Sequence, residues 1–208
     1  MVAVEVAAGT PLSPRQERRL LLLEAARRVF VARGFHATSM DEIAEAAGVS
    51  KPVVYQHFPG KLELYLDLLD DGCASLLAAV RDALASTSDN RTRVQRTYEA
   101  YFSFICAPEE TYRLVFESDL GHEREVARRV EQTNEAAAAL VAEVIAADTA
   151  LSAQEAHLLG WALTGAMQTA ARRWLREGSG VAGEDAVRLL SALAWRGISD
   201  FPLSHPPE

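Results

Sequence analysis

A chain of 208 residues, 49% of them hydrophobic, can build one sizeable core or two small ones, and its abundant Ala, Leu, Arg and Glu with few strand signals points to an all-α protein. No apolar run approaches the roughly 18 residues that cross a bilayer, and the opening residues lack the basic start and long apolar stretch of a secretory signal, so a cytoplasmic chain with no membrane partner is expected. The net charge of −8 argues against a nucleic-acid partner until its distribution is read: residues 1–61 carry eight basic and six acidic side chains, and residues 62–208 thirteen and twenty-three.

Residues 1–13 read as a disordered arm ending at the Pro11 to Pro14 stretch. A helix is expected from about Pro14 to Arg33, with Leu20, Leu23, Ala26 and Phe30 facing a core, and with Arg18 and Arg19 on a solvated face. Gly34 stops it. The run TSMDEIAEAAGVSKPVVYQHF, from Thr38 to Phe58, then holds two short helical patterns. Ser39 and Glu42 have the spacing of a capping box for the first, Gly48 supplies a left-handed turn, and Ser50 opens the second. Pro52 suits its first turn, where a missing N–H breaks no helical bond. Around the apolar anchor Val54, the second helix carries Lys51, Tyr55, Gln56 and His57, groups able to meet phosphates and base edges. The geometry implied is a helix-turn-helix, although an ordinary helical hairpin with polar caps would share much of the pattern.

A long helix follows from about Lys61 to Ala85, with a stripe of Leu62, Leu66, Leu69, Cys73, Leu76, Val80 and Leu84 that links two cores. The polar turn from Ser86 to Asn90 leads into an aromatic stretch, Tyr98, Tyr101, Phe102, Phe104, Tyr112 and Phe116, divided by Pro108. Aromatics at helical spacing indicate core before they indicate a ligand box. The next helix, from about His122 to Ala147, turns Val130, Ala137, Leu140, Val141, Val144 and Ile145 inward. Near Ser152 to Arg176 the small residues Gly160, Ala162, Gly165, Ala166 and Ala170 suit close helix packing, and a last helix spans about Gly183 to Gly197. Cys73 and Cys106 read as small buried hydrophobes rather than a disulfide.

The run GFHATSMDEIAEAAGVSKPVVYQHFPGKLELY resembles, nearly residue for residue, the DNA-binding domain of the TetR family of bacterial transcriptional regulators. The resemblance implies a three-helix helix-turn-helix domain at 14–60, an effector-binding and dimerisation domain at 61–200, a tail at 201–208, and about nine helices in all. It makes Ser50 to His57 the recognition helix. Thr38, Ser39, Tyr55 and Lys61 match phosphate-holding positions, and Lys51, Pro52, Val53, Gln56 and His57 match positions that face bases or nearby backbone. It further implies a homodimer on a roughly palindromic operator, built as a four-helix bundle of the last two helices through Trp161, Ala162, Ala166, Ala170, Leu189 and Leu193. SKPVVYQHF, KLELYL, TYRLVFESD and the ending from Trp195 to Leu203 resemble one subgroup, the FasR-type regulators of fatty-acid synthesis. That implies a long-chain acyl-CoA effector lying among Leu76, Leu77, Val80, Leu84, Tyr101, Phe102, Phe116, Val141 and Met167. The alternative is a repressor of an efflux or catabolic gene that answers another apolar molecule.

Catalysis is not expected. His122-Glu123 begins like a zinc-protease helix, but Val126 stands where its second histidine is needed. His36, His57, His157 and His205 are scattered, with no metal-ligand spacing, no phosphate-binding glycine loop and no activated nucleophile, so no cofactor is expected. A purely architectural DNA binder would have no use for the large apolar second domain.

Overall fold

The computed structural model describes residues 13–106, 120, 123–177 and 180–197. These form eight helices and no strand: α1 Pro14–Arg33, α2 Met40–Ala46, α3 Lys51–His57, α4 Lys61–Ala85, α5 Asn90–Cys106, α6 Arg124–Asp148, α7 Ala153–Glu177 and α8 Gly183–Arg196. The all-α expectation holds. The ninth helix, expected after Pro108 and carrying Tyr112 and Phe116, lies outside the described residues, as do residues 1–12 of the arm and the tail, while Ser13, the last residue of the expected arm, caps α1 in a capping box with Gln16.

The chain divides into two compact units, Met1–Leu68 and Leu69–Glu208. The division falls inside α4 rather than after Gly60, because the first turns of α4 belong to the first core. Leu64, Tyr65 and Leu68 are buried there, and Tyr65 meets Phe30 and Phe35 edge-on, with each pair of ring centroids 5.4 Å apart. In α1 the core face is Leu22, Leu23, Ala26 and Phe30, whereas Leu20 is 52% exposed. The expectation for Leu20 therefore fails. Four consecutive leucines hide the helical phase, which Ala26 and Phe30 set by selecting the residues three, four and eight positions before them.

In the second unit α6 packs along α7, and α5 along α8. The centre is a cluster of Leu76, Val80, Tyr98, Tyr101, Phe102, Ile105, Met167, Ala171 and Ala186. The small residues of α7 serve two faces. Gly160 is buried against α6, with Ala156 and Thr164 on the same inward side, while Ala162 and Ala166 are exposed beside Leu158. Cys73 is buried and Cys106 exposed, both unpaired in any disulfide. Cys106 thus departs from the expected burial, because it ends α5 where the inward stripe has already closed on Ile105.

A β-carbon added at Gly160 would sit 2.4 Å from the Ala138 carbonyl oxygen and 3.3 Å from the Ala142 β-carbon. Both neighbours belong to a helix that cannot retreat without losing its own packing. Gly160→Ala should gain about 1 kcal/mol of helix propensity and lose more than that to overpacking, typically about 1–3 kcal/mol. Thermal unfolding should register a melting temperature below wild type; a rise would show that α6 and α7 are not in close contact.

Candidate nucleic-acid interface and ligand cavity

The first unit holds α3 in place by short-range bonds. Ser39 caps α2: its hydroxyl accepts from the Glu42 N–H at 3.2 Å, and the Glu42 carboxylate accepts from the Ser39 N–H at 2.8 Å. At the other end Gly48, at φ 65°, donates to the Glu45 carbonyl, and Val49 donates to that of Ala44, each at 3.0 Å. This pair of bonds satisfies two carbonyls at the end of α2 and turns the chain into α3. Ser50 occupies the cap position of α3 without a side-chain cap bond. Val54 and Phe58 anchor α3 in the core at 0% and 2% exposure. Lys51, Pro52, Tyr55 and Gln56 consequently share the exposed face, with Val53 and His57 half-buried at its edges.

Charge on this face is arranged rather than free. Lys51 Nζ lies 2.8 Å from an Asp41 carboxylate oxygen, and the hydrogen bond with Asp41 holds the ammonium pKa above its usual value. The His57 imidazole is held below its ordinary 6.5, first by partial burial and then by Arg15, Arg19 and Arg18. Arg19 is no simple solvated residue. It pairs with Asp67, donates to the His57 carbonyl at 3.4 Å and lies 4.4 Å over the Phe58 ring.

Two expected phosphate contacts have other uses. Thr38 is 3% exposed and its hydroxyl donates to the Gly34 carbonyl at 2.7 Å. Lys61 donates to the carbonyls of Phe35 and Thr38, each at 2.6 Å, and sits 4.3 Å over the Phe35 ring. An ammonium bonded to loop carbonyls, including His36 at 3.5 Å, has its donors committed. Lys61 therefore braces the loop before α2. Ser39 remains exposed, although its hydroxyl is engaged in the cap.

The second unit contains a half-open cavity of about 290 Å³ between α5, α6 and α7, bordered also by Leu84 of α4 and by Ala194 and Trp195 of α8. Of the expected lining, Leu84, Val141 and Met167 reach it. Leu76, Val80, Tyr101 and Phe102 are instead packed in the adjoining cluster, and Leu77 is half-buried away from the cavity. Phe116 lies outside the described residues. The stripe of α4 and Tyr101 of α5 interlock and fill space instead of enclosing it, while Phe102 meets Trp174 at 5.3 Å and also borders a separate groove of about 700 Å³ between α5 and α8. Residues not anticipated as lining include Arg93, Thr97, Tyr98 and Asp148. A signal for them was present: Asn90, Arg93 and Thr97 repeat at helical spacing, leaving a polar stripe at the start of an otherwise apolar inward face.

Residues 22–68 match the family profile described as bacterial regulatory proteins, tetR family, and residues 79–202 match that of the tetracyclin repressor-like C-terminal domain. The HTH-type transcriptional activator FasR of Mycolicibacterium smegmatis is 44% identical over 191 residues, which is 92% of this chain and 87% of that protein. The chain belongs to the TetR family. Among solved structures, a TetR-like transcriptional regulator from Rhodococcus sp. RHA1 superposes with a TM-score of 0.70 at 28% identity, covering 92% of this chain and 100% of that one. FadR from Bacillus subtilis, in complex with stearoyl-CoA, superposes at 0.68 and 15% identity over 86% and 98%, which speaks for the fold alone. As a TetR-family member the chain is a DNA-binding transcriptional regulator and not an enzyme.

The expected dimer residues divide by exposure. Ala162 and Ala166 are exposed, as are Leu189 at 40% and Leu193 at 43%, whereas Trp161 and Ala170 are half-buried. Leu158 and Trp195, at 70% and 47%, enlarge the apolar surface of α7 and α8.

The two lysines should separate in a salt titration of DNA affinity. Lys51→Ala should flatten the logarithmic salt dependence by about one unit, while Lys61→Ala should leave the slope and lower the melting temperature by loosening the loop. Equal slope changes would restore Lys61 as a phosphate contact. His57 yields a pH effect of defined sign. Phosphates beside it favour the charged imidazole, so binding takes up a proton, and affinity should rise as pH falls towards and below 6.5. His57→Gln should lose that component; an unchanged pH profile would remove His57 from the interface.

Proposed function

We propose that this protein is a homodimeric regulator of fatty-acid or lipid biosynthesis genes, whose binding to a roughly palindromic operator is modulated by a long-chain acyl-CoA or a similar apolar ligand. The observation that carries the proposal is the likeness to the activator FasR along 92% of the chain, which extends well beyond the helix-turn-helix that many regulators share. The exposed face of α3 supports contact with DNA through Lys51, Pro52, Tyr55 and Gln56, with Val53, His57, Ser39 and Ser50 at its margin. A two-fold pair of such faces would read successive major grooves about one helical turn apart. The apolar surface of α7 and α8 supports pairing with a second copy.

The apolar cavity supports the effector part. Each methylene transferred from water into it contributes about 0.8 kcal/mol, and the stearoyl-CoA held by the Bacillus subtilis neighbour offers the corresponding chemistry. An effector changes DNA affinity only through its differential affinity for two conformations. A coupling of about 1–3 kcal/mol corresponds to a change of roughly 5- to 150-fold. The helix α4 provides a covalent route, because it starts in the first unit and brings Leu84 to the cavity wall.

The test is a titration of the purified protein on its own upstream promoter and on a fatty-acid synthase promoter, with and without palmitoyl-CoA. Specific binding that shifts within the range above is expected. Tyr55→Ala should weaken it without altering the fold, and Leu84→Trp should abolish the ligand response while operator affinity stays. Specific binding indifferent to palmitoyl-CoA and to other acyl ligands would overturn the effector assignment, and unaltered affinity in Tyr55→Ala would overturn the assignment of α3.

A further inference from the structure

The wall of the cavity is largely carbon, yet two of its polar side chains have hydrogen-bonding capacity to spare. Tyr98 is 6% exposed and lines the cavity, and its hydroxyl has no hydrogen-bond partner among the described residues. Buried hydroxyls are nearly always satisfied, so an orphan calls for an explanation. Burial pushes its pKa up to about 12, which keeps the hydroxyl a donor at neutral pH.

Arg93 is the second. Its Nε donates to the carbonyls of Leu84 at 3.1 Å and Thr87 at 2.7 Å, which lie at the end of α4 and in the turn that follows. Its Nη1 reaches the Asn90 side-chain oxygen at 2.7 Å and the Asp148 carboxylate at 2.6 Å. Its Nη2 has no partner among the described residues. The side chain is only 19% exposed. Four bonds thus fix the guanidinium at the cavity wall and leave one donor nitrogen unused. A planar, immobilised guanidinium with one terminal nitrogen unused can donate to an oxyanion.

We infer that the cavity takes a single-chain amphiphile carrying an oxyanion, whose head is held by Arg93 in competition with Asp148 and one of whose oxygens accepts from the Tyr98 hydroxyl. The chain lies along Val94 of α5, Val141 and Ile145 of α6 and Leu163 of α7, all lining the cavity. This rests on the proposal that the cavity is the effector site and adds the chemistry of the head and the residues that read it. A volume of about 290 Å³ is at the low end of the roughly 300–1,000 Å³ usual for ligand sites, so it accommodates a chain with its head at the wall rather than a bulky polycyclic molecule. The oxyanion could belong to a free carboxylate or to the phosphates of a coenzyme A ester, and the probes below separate these sources.

Isothermal titration calorimetry of the full chain with decanoate, decanoyl-CoA and decan-1-ol tests the inference. At least one of the two anionic probes should bind about tenfold or more tightly than the alcohol, the scale of a charge-assisted hydrogen bond. Preference for decanoate identifies a carboxylate head, and preference for decanoyl-CoA identifies phosphate. Arg93→Gln should erase the anionic preference. Because Arg93 also ties helix ends together, two gentler variants complete the test. Tyr98→Phe breaks no hydrogen bond among the described residues and should weaken the favoured anion several-fold at unchanged melting temperature. Asp148→Asn removes the competing charge and should tighten it, a gain that a purely structural role for the pair would not produce. The inference is overturned if decan-1-ol binds as tightly as both anions, or if Tyr98→Phe shows no loss and Asp148→Asn no gain. Should none of the probes bind, the cavity is no amphiphile site and the effector assignment falls with it, while DNA binding through α3 stands.

Discussion

What α3 can present to a partner depends on the turn at Gly48. Two backbone hydrogen bonds, from Gly48 to Glu45 and from Val49 to Ala44, close the end of α2 within a single left-handed residue. A side chain at that φ would be strained, and a longer loop would let α3 rotate. With the turn fixed, burial of Val54 and Phe58 sets the rotation of α3 about its own axis, and the outward set of Lys51, Pro52, Tyr55 and Gln56 follows from helical geometry. A seven-residue helix has little stability of its own, so its interface is a product of these anchors.

Anchoring also decides which charges are available. Within the first unit, Lys61 and Arg19 are committed to carbonyls, a carboxylate and aromatic faces. Among the described residues Lys51 is paired only with an exposed partner, Asp41. Exposed pairs contribute little and are screened by salt, so Lys51 can exchange a carboxylate for a phosphate at small cost. Lys61 could do so only by abandoning the part-buried carbonyls of Phe35 and Thr38. Position in the sequence makes the two lysines look equivalent, and their surroundings separate them.

In the second unit, packing and cavity are neighbours built from the same helices. Tyr101 and Phe102 pack with Leu76 and Val80, whereas Thr97, on the adjoining side of α5, borders open space; Tyr98 stands at the boundary, packed in the cluster and lining the cavity. Rotation by a fraction of a turn along one helix separates core from site. Arg93 closes the end of that space by joining the last turn of α4, the start of α5 and the end of α6.

Periodicity, caps and breakers were sufficient to read the helices from α1 to α5 and α6 to α8 to within a few residues, because capping boxes, Gly48 and the apolar stripes are local properties of the chain. The resemblance from Gly34 through Tyr65 likewise identified the family, since those positions are contiguous in sequence. Other features depended on contacts between residues far apart in the chain. The phase of the leucine run in α1, the commitment of Lys61 and Thr38, the division of α7's small residues between Ala138 and solvent, and the boundary between filled core and cavity were all of this kind. A sequence pattern states which face of a helix is apolar; only the neighbouring helices decide whether that face meets a side chain, a carbonyl or a void.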